Sequence, residues 1–292
     1  MCSGSVVHAG GVRRNFFQIS SFIKYYGELL LDTLLDGSLE NLKLAVHGLN
    51  KSNISDYVII GGWCPYLNRN DKFHPGTIDV DILFKESYKP YYLKNYIQTM
   101  REEGYFTSAK HQFQLLKVFD IQNNKFCFNI DLLHTGIDEQ SNELFVDQLD
   151  LNVILSNEEI QTIKMKSIVQ KESKIIFENN LYETISITDD FHVKIINYTG
   201  LFITKLVSCQ KEKRDRDSYD IYLGFENEKI DFKCLKEIYL NNAVICNQIN
   251  IFKKFLESSD TANIFNERVK QFRNDIIVEP ATYILKFLSE LS

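Results

Sequence analysis

The sequence is poor in the residues that divide a chain into flexible or cross-linked segments. Only 4 of its 292 residues are proline and 13 are glycine, which argues against long low-complexity linkers. Its six cysteines are scattered without a Cys-x-x-Cys pair, so nothing indicates a zinc ribbon or a dithiol redox site. No apolar run reaches the ~18 residues that a membrane helix needs, and the N-terminal apolar stretch makes a poor signal peptide. We therefore expect a cytoplasmic protein without a membrane partner.

What the chain does have is the composition of a folded protein. Hydrophobic residues make up 44% of it and charged residues 25%, which is typical of globular domains. Its length is enough for one large domain or two ordinary ones, each with its own core. The formal net charge of -6 gives no overall attraction to nucleic acid, so a nucleic-acid partner would need a local basic patch.

Hydrophobic periodicity predicts strands and helices first and then helices alone. Residues 1–50 favour helices, the second of them capped by Ser38. Alternating or β-branched runs predict strands at residues 57–60, 78–84, 114–121, 125–133 and 174–177, with helices at 63–68 and 90–103. Two of these strands form a hairpin around an Asn123-Asn124 turn. From Phe191 onward helical spacing dominates, beginning with residues 195–207.

This pattern predicts an α/β (α+β) fold, with a mixed sheet flanked by helices and a helical domain at the C-terminus. We place the boundary near residue 188. Residues 1–187 then form the α/β domain with its N-terminal helices, and residues 188–292 form the helical domain.

Three aspartates lie inside predicted strands, where aspartate is uncommon because an unpaired carboxylate is costly to bury. Asp79 and Asp81 are two residues apart, so both side chains leave the same face of their strand. Such carboxylates repel each other unless a cation lies between them, and Mg²⁺ prefers oxygen ligands completed by water and substrate phosphates. Asp131, within an apolar run, supplies a candidate third carboxylate. The alternative is a solvated strand edge without a metal.

Gly61 and Gly62 directly follow the buried strand at residues 57–60. Glycines at such a turn let backbone N–H groups approach a phosphate at the start of a helix, although a turn without any ligand is the alternative. The order of strand, Gly-Gly, helix, loop, Asp-x-Asp and a later strand aspartate is more specific than any of its parts. It suits phosphoryl or nucleotidyl transfer, in which two metal ions hold the attacking and leaving oxygens.

That order resembles the nucleotidyltransferase superfamily with a polymerase-β-like core, through Ile59-Ile-Gly-Gly-Trp63 and His74-Pro-Gly-Thr-Ile-Asp-Val-Asp-Ile-Leu-Phe84. A second block resembles the signature of AbiEii/AbiGii-type toxin nucleotidyltransferases: Lys205-Leu206 followed by Arg216-Asp217-Ser-Tyr-Asp220-Ile-Tyr-Leu223. The resemblance spans residues 55–225.

The sequence departs from the family pattern at two places. Asn129 stands two residues before Asp131, where the family often has a basic residue nearby. Ile78 precedes Asp-x-Asp, so the hydroxyl of Thr77 is shifted from its usual position. Both departures concern the nucleotide contacts more than the metal site.

The resemblance implies a nucleotidyltransferase core and an enzyme that moves a nucleoside monophosphate from a nucleoside triphosphate, such as ATP, to an acceptor. It implies that Asp79, Asp81 and Asp131 hold Mg²⁺ or Mn²⁺ and catalyse the transfer. The other implied site residues contact the nucleotide or position the groups that do: Gly61, Gly62, Thr77, Lys205, Arg216, Asp217 and Asp220. A toxin-like role is also implied, with tRNA or another RNA as acceptor and a cognate antitoxin as partner.

The second block has a geometric interpretation of its own. If residues 205–220 form one helix, Lys205, Arg216 and Asp220 lie within about 60° of one another, because their spacings are close to whole turns. Asp217 lies further round the helix. The two cations could then neutralise a triphosphate. The alternative is a solvated ion-pair face, since Lys211-Glu-Lys-Arg-Asp-Arg-Asp217 alternates in sign.

Two other functions remain open at this point. The same fold could act on a small molecule such as an aminoglycoside, or on a protein hydroxyl. A catalytically degenerate module could bind a nucleotide or a partner without turnover. His74 is interpreted as an exposed loop residue, His134 as no metal ligand and Trp63 as part of the core. The basic residues Lys211, Lys213, Arg214 and Arg216 could contact a nucleic-acid backbone, although their acidic neighbours oppose such a contact.

Overall fold

The computed structural model describes residues 31–70, 72–85, 90–108, 111, 113–135, 145–154 and 160–291. Helices predicted before residue 31 lie outside these ranges. Helix α1 (Leu34–Lys51) starts with a capping box: the Thr33 hydroxyl accepts the Asp36 N–H at 3.1 Å, and the Asp36 carboxylate accepts the Thr33 N–H at 2.9 Å. The predicted cap at Ser38 is therefore wrong. Ser38 is buried one turn further on and donates its hydroxyl to the Leu34 carbonyl at 2.8 Å.

One mixed sheet contains the nine strands that the described residues form: β1 (Tyr57–Ile60), β2 (Asp79–Phe84), β3 (Phe106–Thr107), β4 (Gln114–Ile121), β5 (Asn124–His134), β6 (Phe145–Ile154), β7 (Ile160–Val169), β8 (Tyr182–Thr188) and β9 (Phe191–Ile196). The strand order is β3-β4-β5-β2-β1-β9-β8, with β7 beside the end of β5 and β6 beside β7. Strand β2 pairs antiparallel with β1 and parallel with β5. It is therefore supported on both sides, well inside the sheet.

Helices pack against the sheet and then continue alone to the end of the described chain. The further helices are α2 (Trp63–Leu67), α3 (Pro90–Glu102), α4 (Lys174–Glu178), α5 (Tyr198–Lys205), α6 (Asp215–Glu226), α7 (Phe232–Asn241), α8 (Ala243–Glu257), α9 (Ser259–Lys270) and α10 (Pro280–Ser289). No helix within the described ranges has the length and apolar character needed to cross a membrane. The predicted fold class, a mixed sheet flanked by helices with a helical C-terminal part, is confirmed.

The sheet gives way to the helical part directly after the β8–β9 hairpin, between Ile196 and Tyr198. Residue 188 is the last residue of β8, and β9 returns to pair with β1 inside the same sheet. The helical part begins at Tyr198, where the Asn197 side chain caps α5 by accepting the Gly200 N–H at 2.9 Å. The division into two domains at residue 188 stays a prediction.

A continuous hydrophobic core joins the sheet to the C-terminal helices. Val58 and Ile59 of β1 and Val80 and Ile82 of β2 are fully buried, and the same cluster extends to Leu288 in α10. Each such aliphatic side chain contributes roughly 1.5–3 kcal/mol by leaving water. The strand that carries Asp79 and Asp81 is thus held in place by the largest source of stability in the fold.

Three predicted elements differ from the structure. Residues 174–177, predicted as a strand, form α4 instead, because a short apolar run has no periodicity that separates a strand from a buried helical turn. The β4–β5 turn lies at Gln122 and Asn123, whose φ angles are 50° and 63°, and not at Asn123-Asn124. The helix predicted over residues 195–207 starts later, since Ile195 belongs to β9.

Candidate active site

Two neighbouring parallel strands bring the three predicted carboxylates together. In the β2–β5 register, Asp81 lies opposite Asp131 and Asp79 lies opposite Asn129. Residues that are opposite each other, or two apart on one strand, project from the same face of a sheet. All three aspartates are half-buried there. The sequence therefore placed Asp79 and Asp81 on one face correctly, and the topology adds Asp131 beside Asp81.

Burial raises the pKa of each of the three carboxyls. Burial raises the pKa of Asp81 to about 7, and the charges of Asp131 and Asp79 add to the effect. Burial likewise raises the pKa of Asp79, against a lowering by Arg216, and the pKa of Asp131, against a hydrogen bond that the Asn129 amide donates to it at 2.8 Å. None of the three forms an ion pair with a cation of the described residues. The three carboxylates thus lie together without a paired cation among the described residues, although the charges of Lys205 and Arg216 lower the pKa of Asp81 in part.

This donor set suits a hard divalent cation, although it forms no finished metal cage. Among the residues that the structure describes, no three His, Cys, Asp or Glu side chains are arranged to hold a metal ion by themselves. Mg²⁺ does not need such a cage, because it commonly binds one or two carboxylates and completes its shell with water and substrate phosphates. A cation here would also relieve the repulsion that raises the pKa of Asp81.

The turn after β1 brings backbone directly against this site. Gly61 has a φ of 81°, in the region that favours glycine, and a Cβ atom there would lie 2.6 Å from Asp81 Oδ2. A Cβ atom on Gly62 would lie 3.0 Å from Thr77 Cβ and 3.2 Å from Arg216 Nη2. Gly61 is thus required by its backbone angle and by its approach to Asp81, and Gly62 lies in a tight space between Thr77 and Arg216.

Arg216 is the cation that faces the glycine turn. Its Nη1 donates to the Gly76 carbonyl at 3.1 Å, and 37% of its side chain remains exposed. It lies close enough to Asp79 to lower the pKa of that carboxyl, although burial has the larger effect. Thr77 is buried next to Gly62. Arg216, Thr77 and the glycine turn therefore line one side of the acidic face.

Lys205, Asp217 and Asp220 form a separate, buried ion-pair network. The Lys205 ammonium group donates to Asp217 Oδ1 at 2.6 Å and to Asp220 Oδ2 at 2.5 Å. Burial by itself would raise the pKa of Asp220, but Lys205, His74 and Arg216 together lower it to about 2. The charge of Lys205 is thus taken up by two carboxylates of α6. A direct contact between Lys205 and a triphosphate stays a prediction.

The continuous helix predicted over residues 205–220 is wrong. Helix α5 ends at Lys205, a 3₁₀ turn follows at Ser208–Gln210, and Lys213 has a φ of 61° before α6 begins at Asp215. The predicted angle between Lys205 and α6 therefore does not apply. The break folds α6 back beside α5, and this brings Asp217, which the helical geometry placed further away, into contact with Lys205.

Two residues near the site, His74 and Trp63, make contacts that the sequence did not indicate. His74 is not exposed as predicted: its Nε2 lies 2.9 Å from Asp220 Oδ1 in a buried contact. Trp63, correctly predicted to be core, also donates its indole N–H to the Asp79 carbonyl at 2.8 Å. His134 lies away from the carboxylates' face and shares a hydrogen bond with Ser167. Nothing in the sequence marks the His74 contact, because its partner is 146 positions further along the chain.

Comparison with known proteins gives only remote likenesses. No protein-family model and no curated protein matches the chain. The solved structures that align with it include JHP933 from Helicobacter pylori, at 13% identity and a TM-score of 0.41, over 89% of this chain and 93% of that one. Another is a protein of H. pylori described as a candidate nucleotidyltransferase, at 11% identity and a TM-score of 0.37, over 87% of this chain and 94% of that one. We therefore base the function on the geometry of the site itself.

Proposed function

We propose that the chain is a metal-dependent nucleotidyltransferase, which moves a nucleoside monophosphate from a nucleoside triphosphate to an acceptor hydroxyl. The observation that carries this proposal is the register of β2 and β5. It sets Asp79, Asp81 and Asp131 on one face without a compensating cation, beside a glycine turn and Arg216. Negative charge that the fold leaves unpaired at a half-buried site is costly, and a bound cation is the simplest reason to retain it.

In the proposed reaction the acceptor oxygen attacks the α-phosphorus of the triphosphate. A new oxygen–phosphorus bond forms, the bond to the β-phosphate oxygen breaks, and pyrophosphate leaves with that electron pair. Asp131 accepts the proton of the acceptor hydroxyl as general base. Mg²⁺ or Mn²⁺, held by Asp79 and Asp81 with Asp131, would neutralise the charge on the attacking and leaving oxygens.

The nucleotide contacts are assigned to the wall that Arg216 and the glycine turn form. Arg216 offers a planar fork of N–H donors, which matches phosphate oxygens. Gly61 and Gly62 admit a phosphate close to the backbone, and Thr77 lies buried against Gly62. Asp217 and Asp220 form ion pairs with Lys205. Asp220 Oδ2 also lies 3.9 Å from the Arg216 Nε atom. These two carboxylates thereby position both cations.

An RNA acceptor, tRNA in particular, is supported by the segment that leads into α6. The sequence alternates in sign there, but two of its acids are already paired: Asp215 with Arg268 at 2.9 Å, and Asp217 with Lys205. Within segment 211–214 itself all four side chains are exposed, and three of them, Lys211, Lys213 and Arg214, are basic beside one acid, Glu212. Basic side chains of this kind attract a phosphate backbone. The toxin-like role and a cognate antitoxin belong to the same proposal.

The test is transfer of label to RNA by the purified protein. The protein is incubated with Mg²⁺, total tRNA and each nucleoside triphosphate in turn, labelled at the α-phosphorus. We expect label on RNA with the wild-type protein and with Asp120→Asn, a matched control on the exposed side of β4, and none with Asp79→Ala/Asp81→Ala. Full transfer by the double variant would overturn the proposal.

The same assay separates the other candidate functions. Label that appears only on an added aminoglycoside or protein would keep the reaction and replace the acceptor. Triphosphate binding without transfer to any acceptor would indicate a catalytically degenerate module instead.

A further inference from the structure

The loop between α2 and β2 lies along α6 and is fixed to it by several described residues. Toward β2, the loop's partners move from the C-terminal end of α6 to its first turn. These contacts are the Lys72–Glu226 ion pair, the hydrogen bond from the Tyr219 hydroxyl to the Phe73 carbonyl, the His74–Asp220 contact and the hydrogen bond from Arg216 to the Gly76 carbonyl. The loop therefore couples α6 to the strand that bears Asp79 and Asp81.

His74 lies in the middle of this contact, and its side chain has no exposed surface. Its Nδ1 accepts the Gly76 N–H at 3.0 Å, and its Nε2 lies 2.9 Å from Asp220 Oδ1. A backbone N–H can only donate, so Nδ1 carries no proton, and Nε2 is the nitrogen that donates to Asp220. The ring also stacks on Tyr219, with an interplanar angle of 16°. Both the orientation and the tautomer of His74 are thus fixed.

Gly76 connects His74 to the cation of the site. Its φ of 84° lies in the region that favours glycine. The peptide N–H of Gly76 is held by His74, and its carbonyl accepts Arg216 Nη1 at 3.1 Å. Asp220, His74, Gly76 and Arg216 form one chain of hydrogen bonds. The last group in the chain reaches the glycine turn where the triphosphate would bind.

We propose that His74 is a positioning residue, which acts through the Gly76 peptide to hold the Arg216 guanidinium toward a bound triphosphate. This inference rests on the proposed function, because it gives Arg216 the phosphate contact. A purely packing role for His74 makes a different prediction. In that case any replacement of similar size would act on stability alone and independently of Arg216.

Two conservative variants separate the two contacts of the ring. An asparagine amide oxygen stands as many bonds from the backbone as Nδ1, so His74→Asn keeps an acceptor for Gly76 and loses the donor to Asp220. A glutamine amide nitrogen stands where Nε2 does, so His74→Gln keeps the donor to Asp220 and loses the acceptor for Gly76. The second variant should disturb Arg216 more, because His74→Asn reaches Arg216 only through Asp220, whose Oδ2 lies 3.9 Å from the Arg216 Nε atom.

The experiment is calorimetric titration of inorganic tripolyphosphate with Mg²⁺ into the wild-type protein, both His74 variants, Arg216→Ala and the His74→Gln/Arg216→Ala double variant. We expect His74→Gln to weaken binding about tenfold, as the loss of a charge-assisted contact does, and His74→Asn to stay within about threefold of the wild type. In the Arg216→Ala background, His74→Gln should have no further effect. Equal weakening by both His74 variants, or an undiminished effect of His74→Gln without Arg216, would overturn the inference.

A measurement on the wild-type protein keeps the test decisive if a variant fails to fold. The ¹⁵N–¹H spectrum of the imidazoles should show the His74 proton on Nε2, and a proton on Nδ1 would contradict the inference. Failure of the proposed function looks different. Coupled, Arg216-dependent binding of tripolyphosphate with no transfer to any acceptor would remove the reaction and leave the role of His74 in place.

Discussion

Two groups of buried or half-buried aspartates in this chain have different electrostatic surroundings. Asp79, Asp81 and Asp131 share a face of β2 and β5 and have no paired cation among the described residues, and burial raises the pKa of Asp81 to about 7. Asp217 and Asp220 lie on α6 against Lys205, and the cations around Asp220 lower its pKa to about 2 in spite of burial. The same carboxyl group thus meets opposite electrostatic surroundings in one molecule.

The difference separates carboxylates that are available to bind a ligand from carboxylates that stabilise the fold. Burying an unpaired carboxylate opposes folding, and a fold retains such groups mainly where a ligand compensates them. A carboxylate held by a buried lysine is already compensated, and removing its partner is what harms the protein. We therefore expect substitutions in the β2–β5 group to affect activity and those in the α6 group to affect stability.

The largest expected effect is on transfer activity at the β2–β5 group. Asp81→Asn removes a metal ligand and should lower the transfer rate about 10³-fold, since the cation supplies several kcal/mol of transition-state stabilisation. The free energy of unfolding should stay equal or rise, because a repelling charge is lost. Label transfer and urea unfolding measure the two quantities, with Asp120→Asn as the matched control. An Asp81→Asn variant that loses stability and keeps its transfer rate would show that Asp81 supports the fold and not the reaction.

Removing the cation of the α6 group should have the opposite signature. Lys205→Met leaves Asp217 and Asp220 buried without their partner, which destabilises a protein by about 3–5 kcal/mol. Urea unfolding at pH 7 measures the loss. The exposed Lys174→Met, whose ion pair with Glu178 lies at the surface, serves as control and should change stability by less than about 1 kcal/mol. Equal unfolding midpoints for the two variants would show that the α6 network is not a stabilising element.

The pH dependence of stability should differ between the two groups. Because the folded-state pKa of Asp81 is raised from 3.8 to about 7, the folded protein binds more protons than the unfolded chain between those values. Stability therefore falls as pH rises through that window. Asp220, lowered from 3.8 to about 2, contributes stability above pH 3.8 that is lost as pH falls toward 2. Urea midpoints from pH 4 to 8 should decline for the wild type and decline less for Asp81→Asn. Parallel curves would exclude the assignment to Asp81.

The smallest expected effect concerns Asn129, whose side-chain amide lowers the pKa of Asp131. Asn129→Ala removes the hydrogen bond to Asp131 Oδ1 and should cost about 1 kcal/mol of stability. It should also move the acidic limb of the pH–rate profile, where the rate rises as the base loses its proton, to higher pH, because the bond lowers the pKa of Asp131. A pH–rate profile of this variant beside the wild type measures the shift. An unchanged profile would remove Asp131 from the role of base.

The local parts of this account were accessible from the sequence. Alternation in β2 placed Asp79 and Asp81 on one face, and the Gly-Gly pair after β1 marked the close approach that the structure explains. Whether Asp131 lies beside Asp81 depends on strand order, which residue spacing does not encode. Here the parallel pairing of β2 with β5 decided it.

The parts that sequence reasoning missed depend on contacts between distant residues or on single backbone angles. His74 looked exposed because a loop has no periodicity, and its burial comes from a helix 146 positions away. The break between α5 and α6 includes Lys213, which has a left-handed φ of 61°. Its neighbours are residue types that all tolerate a helix, so the sequence gives no sign of the break. Residues 174–177 were ambiguous for a related reason, since two buried isoleucines fit a strand or a helical turn equally well.

Binding of a divalent cation tests the central claim most directly, because it requires neither the acceptor nor the preferred base to be known. Mn²⁺ binding is followed by electron paramagnetic resonance with tripolyphosphate present, for the wild type, Asp79→Asn/Asp81→Asn and Asp120→Asn. We predict that the wild type and Asp120→Asn bind Mn²⁺ equally, and that the double variant binds at least about tenfold more weakly, as the loss of carboxylate ligands requires. Equal Mn²⁺ affinity in all three proteins would contradict the assignment of the β2–β5 aspartates as the metal site.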